Sequence, residues 1–146
     1  MESDGVVIAY TSVYGNTKNA ALLLAEKLEE KGVKESVHDL ARTDMAEAVE
    51  DAFRYGKLVL ATTTYNGDIF PFMKEYIHHL TERNYQNRTI GLIENGSWAP
   101  VAAKVMTKMF EGSKNLTFTN TTVKIFSALN DETKAQVDAL AEELCG

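Results

Sequence analysis

The chain has 146 residues, of which 45% are hydrophobic and 25% charged, the balance of one ordinary folded domain and not of a collagen, a coiled-coil rod or a disordered tail. Lys and Arg number 15 against 21 Asp and Glu, leaving a net charge of −6, which reads against non-specific nucleic-acid binding and is read either as a means of staying soluble or as complementarity to a basic partner. No apolar run approaches the roughly 20 residues of a membrane helix, the opening Met1-Glu2-Ser3-Asp4 does not read as a secretory signal, and the lone cysteine, Cys145, admits no internal disulfide and no cysteine metal cluster, so a reducing cytoplasm is the expected compartment.

In chain order, Val6 to Tyr10 is a short apolar run that suits a buried strand. Gly15-Asn16-Thr17 follows, then a helical stretch from Thr17 to Lys31 whose apolar face is Ala20, Leu24 and Leu28, with Gly32 as its stop. Val33 to Leu40 contains a second strand. Asp44 is placed to cap a helix carrying Met45, Ala48, Val49 and Ala52 at helical spacing, ended by Gly56. Leu58 to Ala61 reads as a third strand, and Thr62 to Asp68 as a polar loop before a helix opening near Pro71, with Met73, Tyr76, Ile77 and Leu80 inward. Thr89 to Ile93 is the fourth strand. Asn95 to Trp98 forms a loop, and Pro100 suits the first turn of a helix with the stripe Ala102, Val105, Met106 and Met109. Thr121 to Phe126 is the fifth strand, and Asp131 opens a last helix with Val137, Leu140, Ala141 and Leu144 inward.

Five strands alternating with five helices imply a doubly wound α/β fold, a parallel sheet with helices on both faces. Such sheets bind ligands outside the carboxyl ends of their strands. Three loops fall there. The first, Thr11-Ser12-Val13-Tyr14-Gly15-Asn16-Thr17, offers three small hydroxyls and an amide at a helix N-terminus, where unpaired N–H groups attract an anion. Gly15 lets backbone come close to a ligand. The set suits a phosphate monoester held without bulky cations; the competing reading is a plain strand-to-helix turn with a Thr cap. There is no P-loop motif and no dinucleotide fingerprint. The second loop, Thr62-Thr63-Thr64-Tyr65-Asn66-Gly67-Asp68, and the third, Glu94-Asn95-Gly96-Ser97-Trp98, each set one aromatic beside small polar residues. Tyr65 and Trp98 are placed to clamp a flat conjugated ring.

Tyr10-Thr11-Ser12-Val13-Tyr14-Gly15-Asn16-Thr17 resembles the phosphate-binding loop of flavodoxins. Thr64-Tyr65-Asn66-Gly67 with Phe70-Pro71, and Gly96-Ser97-Trp98-Ala99, are similar to the flavodoxin-like domain of flavodiiron proteins, the A-type flavoproteins. The resemblance spans essentially the whole chain. It implies a flavodoxin-like five-stranded parallel sheet of order 2-1-3-4-5 binding one non-covalent FMN. Ser12, Tyr14, Gly15, Asn16 and Thr17 would hold the phosphate; Thr64, Tyr65, Asn66 and Gly67 would line one side of the ring, and Asn95, Gly96, Ser97 and Trp98 the other, with Thr11, Val13 and Thr63 also counted among the cofactor-binding residues.

The chain departs from the family in several ways, among them a third loop that carries Trp98-Ala99-Pro100 where short-chain flavodoxins are often acidic and glycine-rich, and the lack of the insertion that splits strand five in long-chain flavodoxins. Tyr14 stands where short-chain flavodoxins usually carry Thr, and the diiron domain of flavodiiron proteins is missing. With only His38, His78 and His79, and no metal-ligand pattern, no metal site is expected. The implied activity is electron transfer through the semiquinone and hydroquinone states of the flavin. A peptide rotation at Asn66-Gly67 would serve the reduced ring, Trp98 would stack on it, and the surface acids Asp68 and Glu94 would repel its anionic form. No residue is nominated as acid, base or nucleophile, so the chain reads as a carrier more than an enzyme. The alternatives are an FMN-dependent NAD(P)H or quinone-type reductase, and a flavin domain serving a flavodiiron oxygen or nitric oxide reductase. Partners are expected to be redox proteins with basic docking surfaces, not nucleic acid or membrane, and the chain is expected to be a monomer.

Overall fold

A computed structural model describes residues 3–12, 15–65, 68–96, 101–126 and 129–145. Its elements are β1 (Ser3–Tyr10), α1 (Asn16–Glu30), β2 (Glu35–Asp39), α2 (Met45–Arg54), β3 (Tyr55–Tyr65), β4 (Asp68–Ile69), α3 (Pro71–Glu82), β5 (Arg88–Asn95), α4 (Ala102–Met109), β6 (Leu116–Ile125) and α5 (Asp131–Cys145). The main sheet is parallel with the order β2-β1-β3-β5-β6, and the two-residue β4 pairs antiparallel to β3. Setting β4 aside, the order is the 2-1-3-4-5 that the family resemblance implies.

The sheet divides the core into two layers. On one face Val7, Leu58, Leu60 and Ile90 pack with Ala48, Val49 and Ala52 of α2, Met73, Ile77 and Leu80 of α3, and Met106 of α4. On the other, Val6, Ile8, Val59 and Ile93 pack with Leu24 and Leu28 of α1 and with Val137, Leu140 and Leu144 of α5. Alternate residues of each central strand therefore serve opposite layers, as the pleat requires. Each such side chain contributes about 1.5–3 kcal/mol on burial.

Helix ends follow local chemistry. Asp44 caps α2 by accepting the Ala46 N–H at 3.0 Å, the bond that a first turn lacks without a cap. At the end of α1, Gly32 takes a left-handed φ of 76°. The Gly32 N–H bonds Glu29 O and the Val33 N–H bonds Leu28 O, the paired closure that a left-handed residue allows. Asn84, at φ 58°, closes α3 in the same way, with Tyr85 N–H reaching Leu80 O.

Three expectations are corrected. Gly56 does not end α2, which stops at Arg54 with Tyr55 already extended at φ −103°, ψ 157°. The buried guanidinium of Arg88 sets that boundary, donating to Phe53 O at 2.7 Å and Tyr55 O at 2.9 Å. Thr62 to Tyr65 is not loop: β3 runs on through it, pairing Thr62 with Glu94 and Thr63 with Asn95, and turns back as β4. Hydroxyl-bearing, β-branched residues read as polar loop, yet they suit a half-buried strand. The last strand starts at Leu116, five residues before Thr121, because a register shift opposite Gly91 lets β6 continue through Thr119-Asn120-Thr121. Glu143 of α5 holds that bulge by accepting the N–H groups of Asn120 at 2.7 Å and Thr121 at 2.8 Å. Pro100 lies outside the described residues.

Candidate functional site

Strand order reverses between β1 and β3. From β1 the chain crosses to β2 on one side and returns to β3 on the other, opening the crevice in which doubly wound sheets place ligands. The start of α1 stands over it. Gly15 precedes the helix at φ 89°, ψ −14° and supplies no side-chain cap. A Cβ there would meet nothing within 4 Å, so the left-handed backbone, not crowding, asks for glycine. The Ser12 hydroxyl accepts the Gly15 N–H at 3.1 Å and the Lys18 N–H at 3.3 Å. Two amides thus converge on one oxygen at a helix N-terminus, the geometry that receives an oxygen of an anion.

Behind it lies a layer of hydroxyls. Thr17 is fully buried; its Oγ1 accepts the side-chain amide of Asn95 at 3.2 Å and lies 3.2 Å from Oγ1 of Thr63. Thr11 and Thr62, both buried, face each other with their hydroxyl oxygens 2.5 Å apart. The carboxyl ends of β1, β3 and β5 are therefore joined to the first turn of α1 by neutral polar groups. Lys18 points to solvent. This donor set fits a phosphate monoester: amides and hydroxyls satisfy its oxygens, and the helix end supplies the favourable field.

Of the expected site residues, Thr11, Ser12, Gly15, Thr17, Thr63 and Asn95 gather at this edge. Asn16 is the first residue of α1. Gly96 donates its N–H to Ile125 O at 3.0 Å, fixing the end of β6 beside the crevice. The Thr64 hydroxyl is turned to α4, accepting the Val101 N–H at 3.0 Å and the Ala102 N–H at 3.2 Å. The expectations on Val13, Tyr14, Asn66, Gly67, Ser97 and Trp98, and on the ring of Tyr65, lie outside the described residues.

Sequence reasoning missed Thr62 and misplaced Glu94. Glu94 is not a surface acid: it is 4% exposed and accepts the Ala103 N–H at 3.1 Å. With Thr64 it caps α4, whose preceding residue Val101 offers no side-chain cap. Its place at the end of an apolar strand, eight residues before α4, was the available signal. Asp68 pairs with Lys74 at 2.8 Å; that hydrogen bond, with the Ile69 N–H, holds its carboxyl below the usual range. Beside the crevice, burial pushes the Tyr10 phenol up, and the Asp39 carboxylate adds to the shift.

Two other clusters carry no chemistry of their own. Ser36, His38 and Asp51 meet between β2 and α2, but Ser36 and Asp51 both lie on Nε2 of His38, at 3.2 and 2.7 Å. A nucleophile relay needs the two partners on opposite ring nitrogens, so the trio fastens an edge strand to its helix. A cavity of about 840 Å³ lies at the opposite end of the sheet and is lined by the cations Lys34, Lys57 and Arg88. Lys57 is committed to Leu144 O of α5 and Arg88 to Phe53 O of α2, while Lys34 lies over the Tyr55 ring at 5.5 Å. Among the described residues no group of three or more His, Cys, Asp or Glu comes together to hold a metal, and no helix is long and apolar enough to cross a membrane.

The parallel order and the switch-point crevice place the molecule among the doubly wound α/β proteins. More narrowly, the chain belongs to the flavodoxin domain family, whose model matches residues 7–118. Among solved structures it is similar to rubredoxin oxygen:oxidoreductase from the anaerobe Desulfovibrio gigas, with a TM-score of 0.92 and 19% identity over 99% of this chain and 36% of that one. It is similar to the flavodiiron core of Flv1 from Synechocystis, with a TM-score of 0.83 and 18% identity over 98% of this chain and 36% of that one. A flavodoxin from the domain Archaea gives a TM-score of 0.79 and 17% identity over 99% of this chain and the whole of that one. The chain thus spans about a third of the length of the first two, and at these identities the likeness is one of fold. No curated protein matches the sequence.

Proposed function

We propose that this chain binds one FMN at the carboxyl edge of its sheet and serves as an electron-transfer domain. The observation that carries the reading is the convergence of the Gly15 and Lys18 amides on one oxygen at the start of α1, above the hydroxyls of Thr11, Thr17, Thr62 and Thr63. FMN, when bound, supplies the ring that takes up and releases electrons. Ser12, Tyr14, Gly15, Asn16 and Thr17, with Thr11 and Val13 beside them, bind the phosphate. Thr63, Thr64, Tyr65, Asn66 and Gly67 flank one side of the ring; Asn95, Gly96, Ser97 and Trp98 flank the other. The Thr64 hydroxyl is already given to α4, so Thr64 contributes through its backbone. Asn95 holds the Thr17 hydroxyl in place, and Glu94 fixes the start of α4. The redox partner that the net charge of −6 favours carries a basic surface.

The test is a titration of the purified apoprotein with FMN, followed by anaerobic stepwise reduction. Tight binding, and reduction in two one-electron stages, is the expected result. Absence of FMN binding would overturn the proposal. Reduction in a single two-electron stage, with rapid NAD(P)H oxidation, would replace the carrier with a reductase.

A second reading places this chain as the flavin domain that feeds a separate diiron domain. The TM-score of 0.83 with the flavodiiron core of Flv1, a chain of which it spans 36%, favours it. Rapid electron delivery to an added diiron domain, with slow delivery to free redox proteins, is the result that distinguishes it.

A further inference from the structure

The charge of this molecule is unevenly distributed. Against a net charge of −6, one flank is basic. Lys104 and Lys108, one turn apart on α4, and Lys124 on β6 are exposed. Lys104 and Lys124 line the same cleft, about 510 Å³, between α4 and the edge of β6, with Ala103, Asn120, Thr122 and Glu94. Glu94, the acid of that cleft, is buried and bonded to Ala103 N–H. None of these lysines enters an ion pair among the described residues, whereas Lys27, Lys31, Arg42, Arg54 and Lys74 all do. Lys114 extends the flank past the end of α4, and Glu111 is the one exposed acid along 102–126.

We propose that this α4–β6 flank is a docking surface for an acidic protein, distinct from the crevice and opposite in sign to the surface that the net charge favours. Strand addition is not the mode of contact. The Asn120 and Thr121 N–H groups are taken by Glu143, and the Lys124 N–H by Gln136 at 2.8 Å. The edge therefore offers charge, not backbone donors. Half-buried Val105, Met109 and Phe118, packed on the core beside the lysines, add an apolar element of the kind a docking surface uses. The overall charge selects the class of partner. An extended polyanion such as a nucleic acid would also lie against the acidic remainder of the molecule and be repelled. A compact acidic patch on a folded protein engages the flank within a screening length of about 8–10 Å and leaves the rest apart.

The experiment is a nuclear magnetic resonance titration of the labelled full chain with a decaglutamate peptide, repeated with polyuridylate, at low and high salt. The expected result is shifts confined to residues 102–124, lost at high salt. The double variant Lys104→Glu/Lys124→Glu should bind about tenfold more weakly. The control Lys34→Glu/Arg42→Glu, which changes total charge equally at two exposed cations on the far, β2 margin of the sheet, should bind as the parent does. If the charge reversals unfold the chain, Lys104→Gln/Lys124→Gln serves in their place with the same expectation. Shifts spread over other faces, equal loss in the control, or tighter binding of polyuridylate than of the peptide would each overturn the proposal. None of these readouts depends on the crevice holding a flavin.

Discussion

Asn95, at the end of β5, donates its side-chain amide to the hydroxyl of Thr17 in the first turn of α1, 3.2 Å away. With that acceptor site filled, the Thr17 proton is left to point elsewhere, toward Thr63 or toward an anion over the helix end. The bond joins two segments that the sequence separates by 78 positions, and makes the start of α1 depend on the end of β5.

Asn95→Leu should therefore weaken FMN binding by about tenfold, the ~1.4 kcal/mol of one well-placed hydrogen bond. Thr17→Val should do at least as much, and Thr17→Ser should restore most of it. Calorimetric titration of each variant checks this; unaltered affinity in Asn95→Leu would show that the two segments act independently.

Gly5 and Gly32 both adopt positive φ, yet the two should respond differently to alanine. At Gly32, φ 76°, a Cβ meets open space, and the cost is the left-handed backbone alone, about 1–2 kcal/mol. At Gly5, φ 154°, the same atom falls 2.9 Å from the Tyr55 ring and 3.0 Å from Lys34 O, and one of these is backbone. Gly5→Ala should lower the urea midpoint further than Gly32→Ala does, and equal midpoints would contradict the packing around β1.

Tyr85→Phe should stabilise the protein. The Tyr85 side chain is fully buried, edge-on to Phe53 at 5.2 Å and under the Arg88 guanidinium at 5.3 Å, while its hydroxyl has no partner among the described residues. Burial pushes the phenol well above its usual range, the Arg88 charge pulling weakly the other way. Removing the unbonded hydroxyl leaves the ring contacts intact and should gain about 1 kcal/mol. A lower thermal midpoint in the variant would mean the hydroxyl is paired.

Acid should loosen the hairpin and the sheet edge together. Lys74 lowers the Asp68 carboxyl, and Thr121, with the Asn120 N–H, lowers that of Glu143. Groups whose folded values lie below their unfolded ones stabilise above the unfolded value, near 4, and lose that contribution as pH falls through the folded one. Thermal midpoints should drop below about pH 4, with a shallower drop in Asp68→Asn and Glu143→Gln. Both groups are partly exposed, so each effect is small. Identical slopes in all three proteins would remove these two carboxylates from the account.

The strand positions were legible because the central strands are apolar runs bounded by glycine or polar residues, and the helices because Leu24, Leu28, Ile77, Leu80, Val137 and Leu140 recur at helical spacing; the order of the strands came from the family resemblance. What escaped was carried by residues whose polarity conceals their role. Thr62, Thr63 and Thr64 read as loop by their hydroxyls, although β-branching suits them to the end of β3, where the hydroxyls are spent on Thr11, Thr17 and α4. Glu94 reads as a surface charge and is a buried cap. Gly56 reads as a helix stop, while the real stop comes from Arg88, more than 30 residues downstream, which no local pattern announces. At the site, the small polar residues around α1 were foreseeable from type and position, but their pairing across three strands was not, since it depends on register.

The capping of β6 by α5 has a consequence for how the molecule lives among its neighbours. Glu143 and Gln136 occupy outward amides that another strand would seek, and the far edge, β2, is only five residues long. Lateral growth by strand exchange is discouraged at both margins. Copies crowded in solution, or joined in tandem in one polypeptide, can stand side by side without merging their sheets, and encounters with other molecules are left to side chains that salt can tune.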